Sequence, residues 1–272
     1  MTNTVRLNDL IHQLDQAYPQ ELAESWDQVG LHFGSKDSPV QRVMTALDIR
    51  PNLVEEAIEK NIDTIIVHHP PIFHPIKRFD MDQVLNQMFA KLIRHDINVF
   101  AIHTNLDVAW NGMNDWLAEK LQLSDIKDLN QHGPQYTEET PTIGRVGYLP
   151  SQMTRDEAIQ YIKDTFQRDF LTVVEKSVKE EYNKVAIVGG AGGSMLSQIA
   201  ENNVDIYITG DMTYHVAQSA YDIDMMTIDA GHYIEHIFVS KMATLLEQWS
   251  QDNLWGIDII PGQATTNAMF IQ

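Results

Sequence analysis

The stretch TIIVHHPPIF (64–73) ends an apolar run in two adjacent histidines, His68 and His69, followed by two prolines. Neighbouring side chains on a regular strand point to opposite faces of the sheet. A packing role in the core therefore suits one of these histidines at most. Imidazole nitrogens bind divalent metals, which makes the pair a candidate for metal ligation.

Two further clusters of metal-competent side chains also follow apolar runs. HTNLD ends in Asp107, and DAGHYIEH contains His232 and Glu235. Residues three apart share one face of a helix, so His232 and Glu235 can act together if a helix begins there. His236, four residues after His232, is an alternative partner.

The three clusters converge if the strand before the third belongs to the same sheet edge as the other two. Three imidazoles and two carboxylates are too many ligands for one closed tetrahedral zinc, but they fit a two-metal site with open coordination positions. Carboxylates bridge the ions in such a site, so Asp107 and Glu235 are the expected bridges.

Each cluster also has a purely structural explanation. Adjacent histidines occur by chance in a chain with 11 histidines, and Asn or Asp side chains close strands at turns. Asp229 and His232 could cap a helix. A metal site is favoured because all three clusters follow predicted strands at the corresponding position.

Four other features are candidates for a role near the metals. His103 precedes Asp107 by four residues and is a candidate acid, base or orienting group, and His215 is a candidate proton shuttle. Asp211 could cap the next helix, or it could lie near the metals and support a metal ligand without itself binding a metal. The loop GGAGGS (189–194) could bind an anion or form a tight strand-to-helix turn, and the turn is favoured because the loop lacks the phosphate-loop lysine.

An alternation of strands and helices positions the first two clusters. The pattern predicts, in order, strand 42–49, helix 51–61, strand 62–69, helix 81–96 and strand 98–105. Such βαβ units form a parallel sheet, and ligands usually bind where the carboxyl ends of its strands meet. The helix at 81–96 is amphipathic, with Met81 and Met88 expected in the core.

The pattern changes after about residue 125. A polar, turn-rich stretch at 128–141 predicts a linker or surface loop. Beyond it, strands and a helix opening with Thr154 and Glu157 in a capping box predict a second α/β unit. The predicted organisation is a metal-binding α/β domain at 1–127 and 205–272, interrupted by a second α/β domain at 128–204.

Composition narrows the classes of function. The chain has 38 acidic and 19 basic residues, a net charge of −19, which argues against a surface that follows nucleic-acid phosphates. With no cysteine, any metal must be held by His, Asp, Glu, backbone oxygen or water. No apolar run approaches the roughly 20 residues that span a bilayer, and the N-terminus lacks a secretory pattern. We therefore expect a cytoplasmic protein that binds neither membrane nor nucleic acid.

Six motifs occur in this order: SWDQVGLHFG, IIVHHPPIF, HTNLD, VGGAGGS, TGDMTYH and GHYIE. Together they resemble the GTP cyclohydrolase 1 type 2 homologue family, also called the NIF-three-like proteins, over nearly the whole chain. The resemblance implies a dinuclear metal centre with the ligands His68, His69, Asp107, His232 and Glu235. The same five residues are those that follow the predicted strands in the three polar clusters.

The resemblance also implies a fold and an assembly. The expected fold is α/β, with two intertwined α/β domains of similar topology whose mixed sheets are flanked by helices. Members of the family form toroidal homohexamers with metal sites facing an interior cavity. Some carry an inserted domain for which this chain is too short, so the stretch at 125–140 would be the join.

The expected activity is that of a hydrolase with two divalent metal ions (zinc, iron or manganese). Its small-molecule substrate would be GTP, another nucleotide or a phosphoester. The alternative is a non-catalytic metal-binding ring, either a metal chaperone or a regulatory scaffold that binds a partner.

Overall fold

The computed structural model describes residues 4–130 and 141–269, so most of the linker predicted at 128–141 lies outside the described residues. The chain divides into two compact units. Unit 1 comprises residues 1–106 and 236–272, and unit 2 comprises residues 107–235.

The described part of the chain contains eleven strands in two mixed sheets. In chain order they are β1 (Gly30–Phe33), β2 (Arg42–Ala46), β3 (Thr64–Val67), β4 (Asn98–Ala101), β5 (Ser124–Asp128), β6 (Arg145–Met153), β7 (Thr172–Val174), β8 (Tyr182–Ile187), β9 (Ile206–Thr209), β10 (Met226–Asp229) and β11 (Asp258–Pro261).

Nine α-helices and three short 3₁₀ helices complete the described elements. The α-helices are α1 (Leu7–Ala17), α2 (Pro51–Glu59), α3 (Val84–Arg94), α4 (Thr104–Val108), α5 (Met113–Lys120), α6 (Arg155–Thr165), α7 (Leu196–Glu201), α8 (Tyr214–Tyr221) and α9 (Ile237–Asp252). The 3₁₀ helices are Gln20–Leu22, Gly192–Met195 and His232–His236. None of the described helices is both long and apolar enough to cross a membrane.

Unit 1 is built on a five-stranded sheet with the order β1-β4-β3-β2-β11. Strands β2, β3, β4 and β11 are parallel, as the βαβ pattern predicts, and β1 is antiparallel to β4. All residues of β3 and β4 are buried, and Val67 is paired with Ala101 at their carboxyl ends. Helix α9 packs on β2, where Thr45 Oγ1 donates to the Val239 carbonyl oxygen at 2.8 Å. The segments that follow β3 and β4 therefore leave the sheet next to each other.

Unit 2 is built on a six-stranded sheet with the order β5-β6-β8-β9-β10-β7. Strands β8, β9 and β10 are parallel and the other pairings are antiparallel. Helix α5 packs on β6 and β8, and α6 packs on β6. The helix that opens at Thr154 has the predicted capping box with Glu157. The α/β class, with two mixed sheets flanked by helices, is confirmed.

The strand before DAGHYIEH is β10, and it pairs with β9 and β7 rather than with β3 or β4. The expectation that one sheet carries all three polar clusters is therefore wrong. Both β9 and β10 also lie in the stretch 205–272, which the sequence-based division assigned to the domain of β3 and β4. Consecutive strands joined by a helix tend to pair as neighbours, and β8, β9 and β10 follow that tendency.

Helix α3 is shorter than the predicted 81–96. Asn86 Nδ2 donates to the Asp80 carbonyl oxygen and Gln87 Nε2 to that of Met81, each at 2.8 Å, so the preceding chain is held outside the helix. Met88 is buried as expected, but Met81 is 39% exposed. The predicted core position of Met81 is therefore wrong.

Arg145 is the main buried cation of unit 2 and is fully enclosed. Its guanidinium donates to both carboxylate oxygens of Asp115, at 2.8 and 3.1 Å, and lies 3.6 Å from Asp128. The same group lies over the Trp110 ring at 4.3 Å. Three charges are thus buried together, and each depends on the others for compensation.

Arg145→Met should destabilise unit 2 by about 3–5 kcal/mol, because Asp115 and Asp128 would stay buried without their cation. Urea unfolding followed by circular dichroism measures the effect. The control is Lys127→Met, which removes an exposed ion pair with Asp125 and should leave the midpoint nearly unchanged. Equal small shifts for the two variants would contradict the expectation.

Candidate metal centre

His68 and His69 directly follow β3, which ends at Val67 rather than at the predicted residue 69. Their backbone amides donate to the carbonyl oxygens of Ala46, at 3.1 Å, and Leu47, at 3.0 Å. The chain bends at these two residues, and their ring centroids lie only 4.9 Å apart. The expectation that the side chains point to opposite faces is wrong, because alternation holds within a regular strand and both residues lie beyond it.

In each of these two rings, Nδ1 lies close to an oxygen acceptor. His68 Nδ1 is 2.8 Å from the Ile102 carbonyl oxygen, which directly follows β4. His69 Nδ1 is 2.7 Å from Asp48 Oδ1, and Thr266 donates to the other oxygen of Asp48 at 2.7 Å. His68 is fully buried, whereas the His69 side chain is 22% exposed.

His103 is a third imidazole of unit 1 and lies just beyond β4. Its ring is edge-on to those of His68 and His69, with centroid distances of 5.1 and 5.6 Å. One potential ligand nitrogen from each of the three rings lies within 4.8 Å of the other two. Unit 1 therefore brings His103 together with the adjacent pair, at a spacing that a single divalent ion could bridge.

Asp107 lies on α4 and not at the end of a strand, because β4 stops earlier than predicted. Asp107 is buried, with 9% exposure. Two buried side chains hold the backbone of this segment. Asn114 Nδ2 donates to the Asp107 carbonyl oxygen at 2.9 Å, and Arg145 Nη2 donates to that of Val108 at 3.1 Å. The position of the carboxylate thus depends on the buried polar groups of unit 2.

His232 and Glu235 lie on a 3₁₀ helix that leads into α9. Residues three apart are nearly eclipsed in such a helix, and His232 Nε2 lies 3.0 Å from Glu235 Oε2. His232 Nδ1 lies 2.7 Å from Asp211 Oδ2, so Asp211 supports this imidazole from the other side. The cap of the helix that follows Asp211 is Thr213.

The GGAGGS loop lies against the same two side chains. A Cβ atom at Gly190 would lie 3.0 Å from Glu235 Oε1 and 3.5 Å from His232 Nε2, and Gly190 has a φ of +64°. The amide of Gly189 donates to Asn114 Oδ1 at 2.9 Å. The loop is the favoured strand-to-helix turn, and its glycines let the backbone approach the carboxylate closely.

His215 lies on the exposed surface of α8, and its Nδ1 is 3.1 Å from Gln218 Oε1. Among the described residues, it belongs to none of the His, Asp and Glu groups spaced closely enough to share a metal ion. Its role as a proton shuttle stays a prediction.

Four imidazoles share one arrangement that tests the fit of a metal. In each, Nδ1 lies 2.7–2.9 Å from an oxygen: His68 with Ile102, His69 with Asp48, His103 with Asp27, and His232 with Asp211. Metal-binding histidines commonly donate their second ring N–H to a carboxylate or a backbone carbonyl, which orients the ring and sets its tautomer. Nitrogen and carboxylate donors suit zinc, iron or manganese. The residues of the two units therefore fit divalent metal ions.

Three residues that support these ligands are not predicted by the sequence patterns: Asp27, Asp48 and Asn114. Of the three, only Asp27 lies in one of the motifs, SWDQVGLHFG, and the motif by itself indicates no role for it. Asp48 lies 21 residues before His69 and Asp27 lies 76 before His103. No local periodicity links positions so far apart.

Gly190→Ala should displace Glu235 and lower zinc affinity by about 10- to 100-fold, as other losses of ligand support do. The matched control is Gly256→Ala, because Gly256 has the same φ of +64° but no atom within 4 Å of an added Cβ. Both variants carry the same backbone strain, so only the contact with Glu235 distinguishes them. Competition with a fluorescent zinc chelator measures the affinity. Equal affinities in the two variants would contradict the expectation.

The chain is similar to known proteins along nearly its whole length. The family model Duf34/NIF3 (NGG1p interacting factor 3) matches residues 5–268. The "GTP cyclohydrolase 1 type 2 homolog" of Streptococcus pneumoniae is 43% identical over 265 residues, which covers 95% of this chain and 98% of the relative.

Two solved structures resemble the fold. A Staphylococcus aureus protein superposes with a TM-score of 0.89 and 31% identity, covering 98% of this chain and 99% of that one. A Bacillus cereus protein related to NIF3 superposes with a TM-score of 0.91, 24% identity and 99% coverage of both chains, which is similarity of fold alone. The family match and the identity to the streptococcal relative establish that this chain belongs to the Duf34/NIF3 family.

Proposed function

We propose that this protein is a metal-dependent hydrolase that uses two divalent ions. The proposed metal ligands are His68, His69, Asp107, His232 and Glu235. The observation that carries the proposal is the support of all three proposed histidine ligands at Nδ1 by an oxygen acceptor. Holding three side chains in this way costs conformational freedom, and the arrangement is typical of metal ligands.

Divalent ions bound by these residues would supply Lewis-acid chemistry. The protein's part is to hold the ligands and to move protons. His68 and Glu235 are both buried, at 0% and 2% exposure. The surrounding protein therefore keeps bulk water away from their ligand atoms. His103 is not among the five proposed ligands, and its ring lies against those of His68 and His69. We assign His103 the transfer of a proton from the attacking water to the leaving group.

The proposed substrate is a small nucleotide or phosphoester. The name of the streptococcal relative, a GTP cyclohydrolase homolog, supports a purine nucleotide such as GTP. GTP cyclohydrolysis begins with attack of water on purine C8, and phosphoester cleavage begins with attack of water on phosphorus. Both reactions need a proton acceptor for the water and a proton donor for the leaving group.

Glu235→Gln should reduce bound metal and abolish turnover, because the amide loses the negative charge of a ligand oxygen. The matched control is Glu247→Gln, at an exposed position of α9, which should keep the metal content and activity of the unmodified protein. Metal per chain is measured by plasma mass spectrometry after purification without chelator. Turnover is measured with GTP and a panel of phosphoesters.

Two outcomes would decide against the proposal. Metal content near zero, even after reloading with zinc, manganese or iron, would contradict a metal centre. Tight metal binding without turnover of any substrate would favour the non-catalytic scaffold or metal chaperone instead.

We also propose a homohexamer, on the basis of the family resemblance alone. Light scattering coupled to size-exclusion chromatography should give six times the mass of one chain. The same mass is expected for Asp107→Ala, because this change should remove metal without removing subunit contacts. A monomeric or dimeric mass for the unmodified protein would contradict the proposed assembly.

A further inference from the structure

The carboxylate of Asp27 is buried in unit 1 and accepts hydrogen bonds on both oxygens. Its side chain is 0% exposed. Oδ1 accepts from His103 Nδ1 at 2.9 Å and from the Gln28 amide at 2.7 Å. Oδ2 accepts from the amide of Thr104 at 3.0 Å and from its hydroxyl at 2.5 Å. Four donors on one buried carboxylate leave its position tightly determined.

These contacts keep Asp27 ionised. Burial by itself raises the pKa of a carboxyl group, but the hydrogen bonds from His103 and Thr104 outweigh burial and hold the pKa of Asp27 well below its usual value. An ionised carboxylate can only accept hydrogen bonds. His103 Nδ1 must therefore carry the hydrogen in this pair.

The consequence for His103 concerns its other nitrogen. In a neutral imidazole one nitrogen donates and the other carries a lone pair, so donation from Nδ1 leaves the lone pair on Nε2. The ring is also confined by its neighbours. Trp26 packs edge-on against it with a centroid distance of 6.2 Å, and His68 packs edge-on with a centroid distance of 5.1 Å.

We propose that Asp27 is a positioning residue that holds His103 in the tautomer with its lone pair on Nε2. In this role Asp27 makes His103 the proton acceptor of the hydrolytic step. Nε2 takes one proton from the attacking water, the ring becomes a cation beside the Asp27 carboxylate, and the proton then passes to the leaving group. The catalytic part of this inference rests on the proposed function, whereas the tautomer does not.

A merely structural role for Asp27 is the competing explanation. Asp27 accepts the first amide of α4, and Thr104 Oγ1 in turn accepts from the Glu24 amide at 2.9 Å. Loss of these contacts would destabilise unit 1 regardless of which tautomer His103 adopts. The test must therefore report on the imidazole itself.

The first measurement uses the unmodified, zinc-loaded protein with ¹⁵N-labelled histidine. Long-range proton–nitrogen correlation spectra distinguish the two tautomers, and the spectrum of His103→Gln assigns the His103 signals. At a pH where the ring is neutral, the hydrogen should be on Nδ1. A hydrogen on Nε2 would overturn the proposal without any variant of Asp27.

The second measurement compares Asp27→Asn with Asp205→Asn. Asp205 is a matched control in unit 2, because its Oδ2 accepts two backbone amides at 2.9 and 3.0 Å and its Oδ1 accepts Lys179 Nζ at 3.0 Å. Both variants should lose stability. Only Asp27→Asn should move the His103 hydrogen to Nε2, and it should lower kcat by about 10- to 100-fold with KM and bound zinc little changed.

The outcomes separate the two proposals. A changed tautomer with a lower kcat supports the positioning role, and an unchanged tautomer in Asp27→Asn overturns it. A changed tautomer with an unchanged kcat overturns the catalytic part. If the unmodified protein turns over no substrate, the proposed function fails, while the spectra still decide whether Asp27 sets the tautomer.

Discussion

An imidazole ring can present one nitrogen to a metal or a proton in a defined direction only if the other nitrogen is held. In this protein each of four rings is held at Nδ1 by an oxygen atom. For His68 the acceptor is a backbone carbonyl just beyond β4, so the pairing of β3 with β4 sets this ring directly. For the other three the acceptors are carboxylates. Whatever the rings bind, their orientation depends on these four contacts.

Two of these three carboxylates accept further hydrogen bonds. Asp48 accepts from Thr266, and Asp27 accepts from Thr104 and Gln28 as well as from His103. A supporting carboxylate with its own donors is less able to rotate away, so the imidazole that it holds is positioned with little further loss of entropy on binding. This is the physical basis on which Asp27 can act through His103.

Unit 2 supports its ligand residues through its backbone. The glycines after β8 allow the backbone to pack closely against Glu235. Asn114 accepts a hydrogen bond from the amide of Gly189 and donates one to the carbonyl oxygen of Asp107. Arg145 binds the carbonyl oxygen of the next residue, Val108. A single buried polar network therefore touches Asp107 as well as the loop that lies against Glu235. Removal of any one member should destabilise the fold, because its partners would stay buried without a hydrogen bond to replace the one lost.

The residue types and short spacings along the chain were enough to predict the order of the strands and helices between residues 42 and 101, although not where each one ends. They were also enough to predict the pairing of His232 with Glu235 and the role of the glycine loop. These depend on contacts between residues that are near in sequence. Tertiary structure alone decided that β10 pairs with β9 in the second sheet, that His68 and His69 lie ring against ring, and that Asp27, Asp48 and Asp211 face imidazoles. The reason is that strand pairing and buried hydrogen bonds join residues from distant parts of the chain, and no local pattern records which acceptor meets which nitrogen.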